Sequence, residues 1–276
     1  PEFRYKALNI DPSYLKKQLN KLPIEDIEDI TLRRLYKDII EFYSKKIDLL
    51  LNRNTPNFKY LSLMLFGRPD KTDLANARYL IHSMNIDKDN TKIYNSKESV
   101  EELKKLAGNY GFKCNIEESN EIVSRAMVIN AKKSLKIKKG INFNSGELKA
   151  MGSHEIGVHL LTTINSNNQP LKIFNLGLPG NTETQEGLAI LAEYFSGHLD
   201  FKRLKMLAYR IISVDLMLKG YSFTEVFMYF MDEHGFDEND AFYLTTRTFR
   251  SGGFTKDYLY LKGFVKIRNL YQKRDI

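Results

Sequence analysis

The chain has 276 residues, of which 42% are hydrophobic and 28% are charged, a composition that excludes global disorder. Lys and Arg outnumber Asp and Glu by 42 to 34, and the formal net charge of +8 favours acidic partners while also fitting a generally basic surface. A single cysteine excludes an internal disulfide and a cysteine-based zinc cluster. It fits a reducing compartment, and a secreted protein without disulfides would look the same. No apolar run approaches the roughly 20 residues of a spanning helix, and we expect a cytoplasmic protein without a membrane segment.

The first ninety residues are predicted to be helical. Asp11 is expected as the N-cap of the first helix and Pro12 as its first residue. Apolar residues recur at helical spacing over residues 27–51, and residues 71–84 form a further amphipathic pattern. We therefore treat residues 1–90 as a helical N-terminal region.

The pattern changes over the next fifty residues to one helix and two strands. The helix predicted over residues 96–112 should stop at Gly108 or Gly111. Residues 125–143 alternate and include β-branched side chains, which predicts two short strands around a turn.

The rest of the chain returns to helices. Asn144 and Glu147 form a capping box at the start of a helix over residues 144–165. A second helix follows over residues 182–197, and the remainder is mostly helical with an interruption at residues 251–253. This order predicts an α+β fold that is predominantly helical, with a small antiparallel sheet beside the first of these helices. We assign residues 91–276 to a second domain, which could also be continuous with residues 1–90.

The stretch GSHEIGVHLL, residues 152–161, nearly matches the zinc-protease signature H-E-x-x-H, but three residues separate Glu155 from His159. In an ordinary α-helix, residues four apart differ by about 40° around the axis, whereas His154 and His159, five apart, would differ by about 140°. Both imidazoles meet one metal only if the helix takes in an extra residue. We therefore predict a π-bulge or local unwinding between Glu155 and His159, which Gly157 would tolerate. The competing interpretation is a chance pair of helix histidines.

A catalytic zinc site combines three protein ligands with an open position, so a third ligand is needed. The helix TETQEGLAILAEY offers Glu183, Glu186 and Glu193, and His198 lies beyond it. Glu186 and Glu193 are seven residues apart and share a helix face, so one could bind the metal while the other supports a ligand. The spacing favours Glu186 only mildly.

The stretches HEIGVH, TQEGLA and RTFRSGGFTKDYLYLKG together resemble the QEGLA-motif family. This family includes the microtubule-associated tyrosine carboxypeptidases and bacterial relatives described as flavohaemoglobin expression-modulating proteins, and the resemblance extends from FRYK to YLYLKG. It implies a zinc peptidase in which His154, His159 and Glu186 bind Zn²⁺. It also implies that Glu155 is the catalytic acid–base.

Substrate-binding residues are predicted from the C-terminal motif that the family shares. Tyr260 and Arg247 are candidates for the donor that stabilises an oxyanion. Arg247 and Arg250 are helix neighbours, and with Lys256 they could grip a terminal carboxylate, a task that suits arginine. The competing interpretation is a solvated basic patch.

The sequence thus predicts a zinc-dependent carboxypeptidase that removes a C-terminal residue from a flexible peptide or protein tail, which the positive charge suits if the tail is acidic. An endopeptidase or aminopeptidase is the nearest variant, and a non-enzymatic regulatory or binding protein is the alternative from another class. An intact Glu155 argues against that alternative, because a structural zinc site normally has four protein ligands and needs no base. Nucleic-acid binding has only the net charge in its favour, so we expect neither a nucleic-acid nor a membrane partner.

Overall fold

The computed structural model describes residues 1–5, 7–8, 10–84, 92–122 and 124–273. Within these ranges the α-helices are α1 (Pro12–Leu19), α2 (Ile30–Leu51), α3 (Asn57–Phe66), α4 (Lys71–His82), α5 (Ser96–Asn109), α6 (Ser145–Met151), α7 (Leu161–Asn167), α8 (Asn181–Phe195), α9 (Phe201–Leu218), α10 (Phe223–His234), α11 (Glu238–Phe249) and α12 (Leu259–Lys273). The strands are β1 (Ile93–Tyr94), β2 (Asn115–Ser119), β3 (Ala126–Ile129), β4 (Ser134–Lys138) and β5 (Phe143–Asn144). None of the described helices combines the length and the apolar character that crossing a bilayer requires.

The predominantly helical α+β fold is confirmed, and its larger sheet is mixed rather than purely antiparallel. The predicted hairpin is formed by β3 and β4, in which Val128 lies opposite Leu135. On the other side of β4, Ile116 of β2 pairs with the same Leu135 in parallel orientation, so the strand order is β2-β4-β3. The sequence of β2, NIEES, has one hydrophobic side chain, and its alternation was too weak to indicate a strand. A separate antiparallel pair joins β1 and β5.

Helix capping follows the sequence signals. The side chain of Asp11 accepts a 2.9 Å hydrogen bond from the backbone two residues on, and Pro12 is the first residue of α1. In the capping box of α6, the Glu147 amide donates to Asn144 Oδ1 at 2.8 Å and the Asn144 amide donates to Glu147 Oε2 at 3.0 Å. After α5, the chain turns at Gly111, whose φ of 77° is strained for other residues.

The described residues divide into two compact units, the first containing residues 1–82 and 206–259 and the second residues 83–205 and 260–276. The predicted division near residue 90 falls within residues 85–91, which lie outside the described residues, and it stays a prediction. In the first unit, the Thr255 amide donates a 2.9 Å hydrogen bond to the hydroxyl of Ser62. The buried core between α10 and α11 contains Val226, Phe230, Ala241 and Leu244.

In the second unit, the core lies between α5, the sheet, α6 and the segment that carries the histidine motif. Ile156 of this segment is fully buried in the same cluster as Leu135 and Ile137 of β4. Helix α8 also packs against this segment. The histidine segment is therefore held between the sheet and α8, two elements that the sequence separates by more than forty residues.

Helices α8 and α12 approach each other backbone to backbone within the second unit. A Cβ on Gly187 would lie 2.4 Å from the carbonyl oxygen of Gly263, and a Cβ on Gly263 would lie 2.1 Å from the carbonyl oxygen of Glu183. Neither contact can be relieved by turning a side chain. The glycine of the QEGLA motif is therefore required by packing.

We expect Gly187→Ala to destabilise the metal-free protein by about 1–3 kcal/mol, because the added methyl group must push two backbones apart. Gly108→Ala is the control, since Gly108 is an exposed residue of α5 with no atom within 4 Å of an added Cβ. That change should leave stability unchanged or raise it by about 0.5–1 kcal/mol. Urea unfolding measures both, and equal midpoints for the two variants would contradict the packing argument.

Candidate metal centre

The two histidines lie on a nine-residue π-helical segment, Gly152–Leu160, between α6 and α7. The i→i+5 hydrogen bonds of such a segment place residues five apart on the same face. The rings of His154 and His159 accordingly face each other, with centroids 4.9 Å apart and an interplanar angle of 78°. The predicted π-bulge is confirmed and is longer than one turn. Gly157 also allows Tyr110 to approach, since an added Cβ would lie 2.6 Å from its hydroxyl.

Three donor atoms converge at this segment. Glu186 Oε2 lies 3.6 Å from His154 Nε2 and 3.5 Å from His159 Nε2, and the donor atoms of the three residues all lie within 4.8 Å of one another. Zinc ligands at about 2.0–2.1 Å in tetrahedral geometry are about 3.3 Å apart, so the spacing fits one ion. Of the other two candidates on α8, Glu183 is paired with Lys266 at 2.6 Å.

The burial of the donors leaves one side of the cluster accessible. His154 and Glu186 are buried, whereas His159 and the adjoining Glu155 are half-buried. Two imidazoles and one carboxylate form a donor set typical of catalytic zinc, which keeps a position open. Glu155 is outside the three-donor cluster but close enough for its charge to raise the pKa of His154.

Glu193 contacts His154 on the side of the ring opposite to Glu186. Its Oε1 is 2.7 Å from His154 Nδ1, the ring nitrogen that faces away from Glu186. Burial alone would raise the pKa of Glu193, but the charge of Arg203 and the hydrogen bond with His154 lower it below the ordinary value. A carboxylate that accepts a hydrogen bond from the second nitrogen of a ligating histidine is a recurrent feature of zinc sites. On one face of α8, Glu186 thus faces the Nε2 atoms of both histidines, and Glu193 contacts Nδ1 of His154.

Electrostatics at His154 couple metal binding to proton release. Burial lowers the pKa of this imidazole, but hydrogen bonds with Glu186 and Glu193 and the charge of Glu155 raise it, to about 9 overall. The carboxylates beside the ring therefore favour its protonated form in the metal-free protein. Because a histidine ligand must be neutral, a metal that bound this ring would have to displace its proton.

The predicted arginines lie in the first unit and surround a buried carboxylate. Arg247 donates to Asp257 through Nε and, at 2.9 Å, through Nη2, while Nη1 donates to the Tyr243 hydroxyl at 3.1 Å. Arg250 Nη2 is 3.9 Å from Asp257, and its guanidinium lies 4.5 Å from the Phe254 ring centroid. Asp257 is part of the motif RTFRSGGFTKDYLYLKG, but the sequence did not identify it as the partner of the Arg247 guanidinium.

The charge around Asp257 is positive overall. Burial raises the pKa of Asp257, but Arg247, Arg210 and Arg250 hold it below its ordinary value. Three guanidinium groups thus surround one carboxylate. The same Arg247 and Arg210 lower the pKa of Tyr243 against the opposing effect of burial.

The two remaining predicted residues have different locations. Lys256 opens a short 3-10 helix, Lys256–Tyr258, in the first unit, and Tyr260 is the second residue of α12 in the second unit. Both side chains are half-buried. Their roles, and those of Arg247 and Arg250, stay predictions.

The fold and the donor set together define a candidate metalloenzyme whose site residues come from HEIGVH and TQEGLA. The sequence profile of the microtubule-associated tyrosine carboxypeptidase family matches residues 1–275. Because this match covers nearly the whole chain, the protein belongs to that family of carboxypeptidases, which confirms the resemblance found in the motifs. No curated protein matches the chain.

We expect Glu186→Gln and Glu193→Gln to differ in their effect on zinc affinity. Loss of the supporting Glu193 carboxylate should weaken binding about 10–100-fold, as for other supporting carboxylates, and loss of the candidate ligand Glu186 should weaken it more. Glu183→Gln on the same helix is the matched control and should bind zinc normally. Chelator competition measures all three, and the reverse order for Glu186 and Glu193 would change the ligand assignment.

Arg247→Ala should destabilise the protein by about 3 kcal/mol, because Asp257, only 1% exposed, loses its hydrogen-bonded partner. Arg250→Ala should cost about 0–1 kcal/mol, since its guanidinium is partly exposed and more distant. Urea unfolding of the two variants provides the comparison. Similar small losses for both would show that the pair between Arg247 and Asp257 contributes little to the fold.

Proposed function

We propose that this protein is a zinc-dependent carboxypeptidase that removes a residue from the C-terminus of a flexible peptide or protein tail. The convergence of donor atoms from His154, His159 and Glu186 is the observation that carries the proposal. Membership of a tyrosine carboxypeptidase family supports the reaction class. A half-buried glutamate beside the donors supports hydrolysis over a purely structural role.

Zn²⁺ is the proposed metal, held by His154, His159 and Glu186. Two imidazoles and a carboxylate match zinc better than the all-oxygen sets that magnesium and calcium prefer. When bound, zinc would supply a Lewis acid that polarises the scissile carbonyl and lowers the pKa of water. Glu193 keeps the ring of His154 oriented through its hydrogen bond to Nδ1.

Glu155 is the proposed acid–base. It takes a proton from the attacking water and delivers that proton to the departing amine, so it must reach both solvent and substrate. Its half-buried side chain on the π-helical segment supports this role. Tyr260 is the proposed donor to the developing oxyanion.

Arg247, Arg250 and Lys256 are proposed to bind the terminal carboxylate of the substrate. The excess of guanidinium groups around Asp257 supports an anion-binding role for this region. Because Arg247 donates to the buried Asp257, its replacement would disturb the fold as well as substrate binding.

The substrate class follows from charge and from the family. A net charge of +8 favours an acidic tail, and the family name points to a terminal tyrosine and a microtubule-associated setting. We propose an acidic protein tail that ends in an aromatic residue. A cytoplasmic location is part of this proposal, and a sequence whose single cysteine is Cys114 fits a reducing compartment.

Glu155→Gln should retain zinc and lose about 100- to 10,000-fold in hydrolysis, because the amide cannot accept the proton. The measurement is mass spectrometry of acidic peptides with varied terminal residues after incubation with the wild-type or the variant protein. Zinc content of the purified variant is the control for an intact site. Undiminished cleavage by Glu155→Gln would refute the assigned role.

The same experiment separates a carboxypeptidase from the related alternatives. Free-acid peptides should be shortened by one residue, whereas C-terminally amidated copies should resist. Equal cleavage of both sets would leave a peptidase but reject a carboxypeptidase. Zinc binding without cleavage of any peptide would favour a non-enzymatic regulatory protein.

A further inference from the structure

Arg203, on the first turn of α9, engages the carboxylate that supports the metal centre. Its Nη2 donates to Glu193 Oε1 at 3.2 Å and its Nε donates to Glu193 Oε2 at 3.3 Å. Oε1 is also the atom that lies 2.7 Å from His154 Nδ1. A chain of hydrogen bonds therefore runs from Arg203 through Glu193 to a ligating imidazole, entirely within the second unit.

The chain segment between Glu193 and Arg203 folds so that the two side chains meet. After α8, Gly197 adopts a φ of 75°, and the amides of the next two residues donate to the Glu193 carbonyl at 3.1 and 3.0 Å. The chain then reverses into α9, where the Arg203 amide donates to Asp200 Oδ1 at 2.6 Å. A glycine turn and an N-cap thus place the arginine beside a residue ten positions earlier in the chain.

The geometry around Glu193 restricts what its carboxylate can do. Glu193 is only 2% exposed and lies on the same helix face as Glu186, so it needs a nearby positive charge. The planar fork of Arg203 contacts both oxygens and fixes the orientation of the carboxylate. With Arg203 on one side, Oε1 is directed at His154 Nδ1, and the carboxylate is restrained from rotating towards the metal ligands.

We propose that Arg203 is a positioning residue of the metal centre, which holds Glu193 so that Oε1 accepts the hydrogen bond from His154 Nδ1–H and Nε2 stays directed at the metal. This proposal rests on the proposed zinc site and is independent of which peptide the enzyme cleaves. It adds Arg203 to a site that the sequence motifs define only through histidines and glutamates.

Zinc affinity of three single variants tests the proposal, measured by competition with a chromogenic chelator. Arg203→Met should bind zinc about 10–100-fold more weakly than wild type, the usual effect of removing a supporting interaction. Arg203→Lys should recover part of the loss, because an ammonium group keeps the charge but cannot contact both oxygens as the fork does. Lys202→Met is the matched control, an exposed neighbour on the same turn, and should bind zinc normally.

A double-mutant cycle with Glu193→Gln distinguishes positioning from a general effect on the fold. If Arg203 acts through Glu193, Arg203→Met should cause little further loss of zinc affinity in the Glu193→Gln protein. An equal loss in both backgrounds would overturn the proposal. Unfolding of the metal-free variants reports their stability, and if Arg203→Met does not fold, Arg203→Lys in both backgrounds provides the same comparison.

The outcomes also separate this proposal from the proposed function. Tight zinc binding by wild type with unchanged affinity in Arg203→Met and Arg203→Lys would reject the positioning role alone. Failure of the wild-type protein to bind zinc would reject the metal centre and the positioning role together.

Discussion

The hydrogen-bond register of the π-helical segment is the constraint on which the candidate site depends. In an α-helix, His154 and His159 would point about 140° apart, and no single ion could contact both rings. The i→i+5 register brings them to one face, where the carboxylate of Glu186 meets both Nε2 atoms. Packing of Ile156 into the core beneath the sheet and of α8 against the segment supports this less common helix geometry.

The buried ionisable side chains of the site are connected to one another, and each lies beside a group of opposite charge. His154 lies between Glu186 and Glu193, and Glu193 is in turn neutralised by Arg203. Removing one member of such a series leaves its neighbour buried without a partner, which costs more than the pair itself contributes. In the first unit, the buried carboxylate of Asp257 is likewise paired with a cation, the guanidinium of Arg247.

Local signals in the chain were sufficient for much of the architecture. The N-cap at Asp11, the capping box at Asn144 and the hairpin β3–β4 depend on neighbouring residues, and each is confirmed. The strand β2 was missed because its pairing with β4 compensates for a weak apolar alternation. The engagement of Arg247 by a buried carboxylate was missed for a related reason, since residue spacing on a helix indicates which side chains share a face and not what they contact.

The sequence by itself indicated two histidine donors and, if both bind one ion, an unusual helix register, because their five-residue spacing is compatible with one metal only in a distorted helix. The family motifs further identified Glu186, and the structure brings this residue to the histidines while placing Glu193 behind His154. Only the tertiary structure decided the partners of these carboxylates and the close contact of Gly187 with α12. Those features depend on distances between segments that are far apart in the chain, and periodicity along one helix carries no information about them.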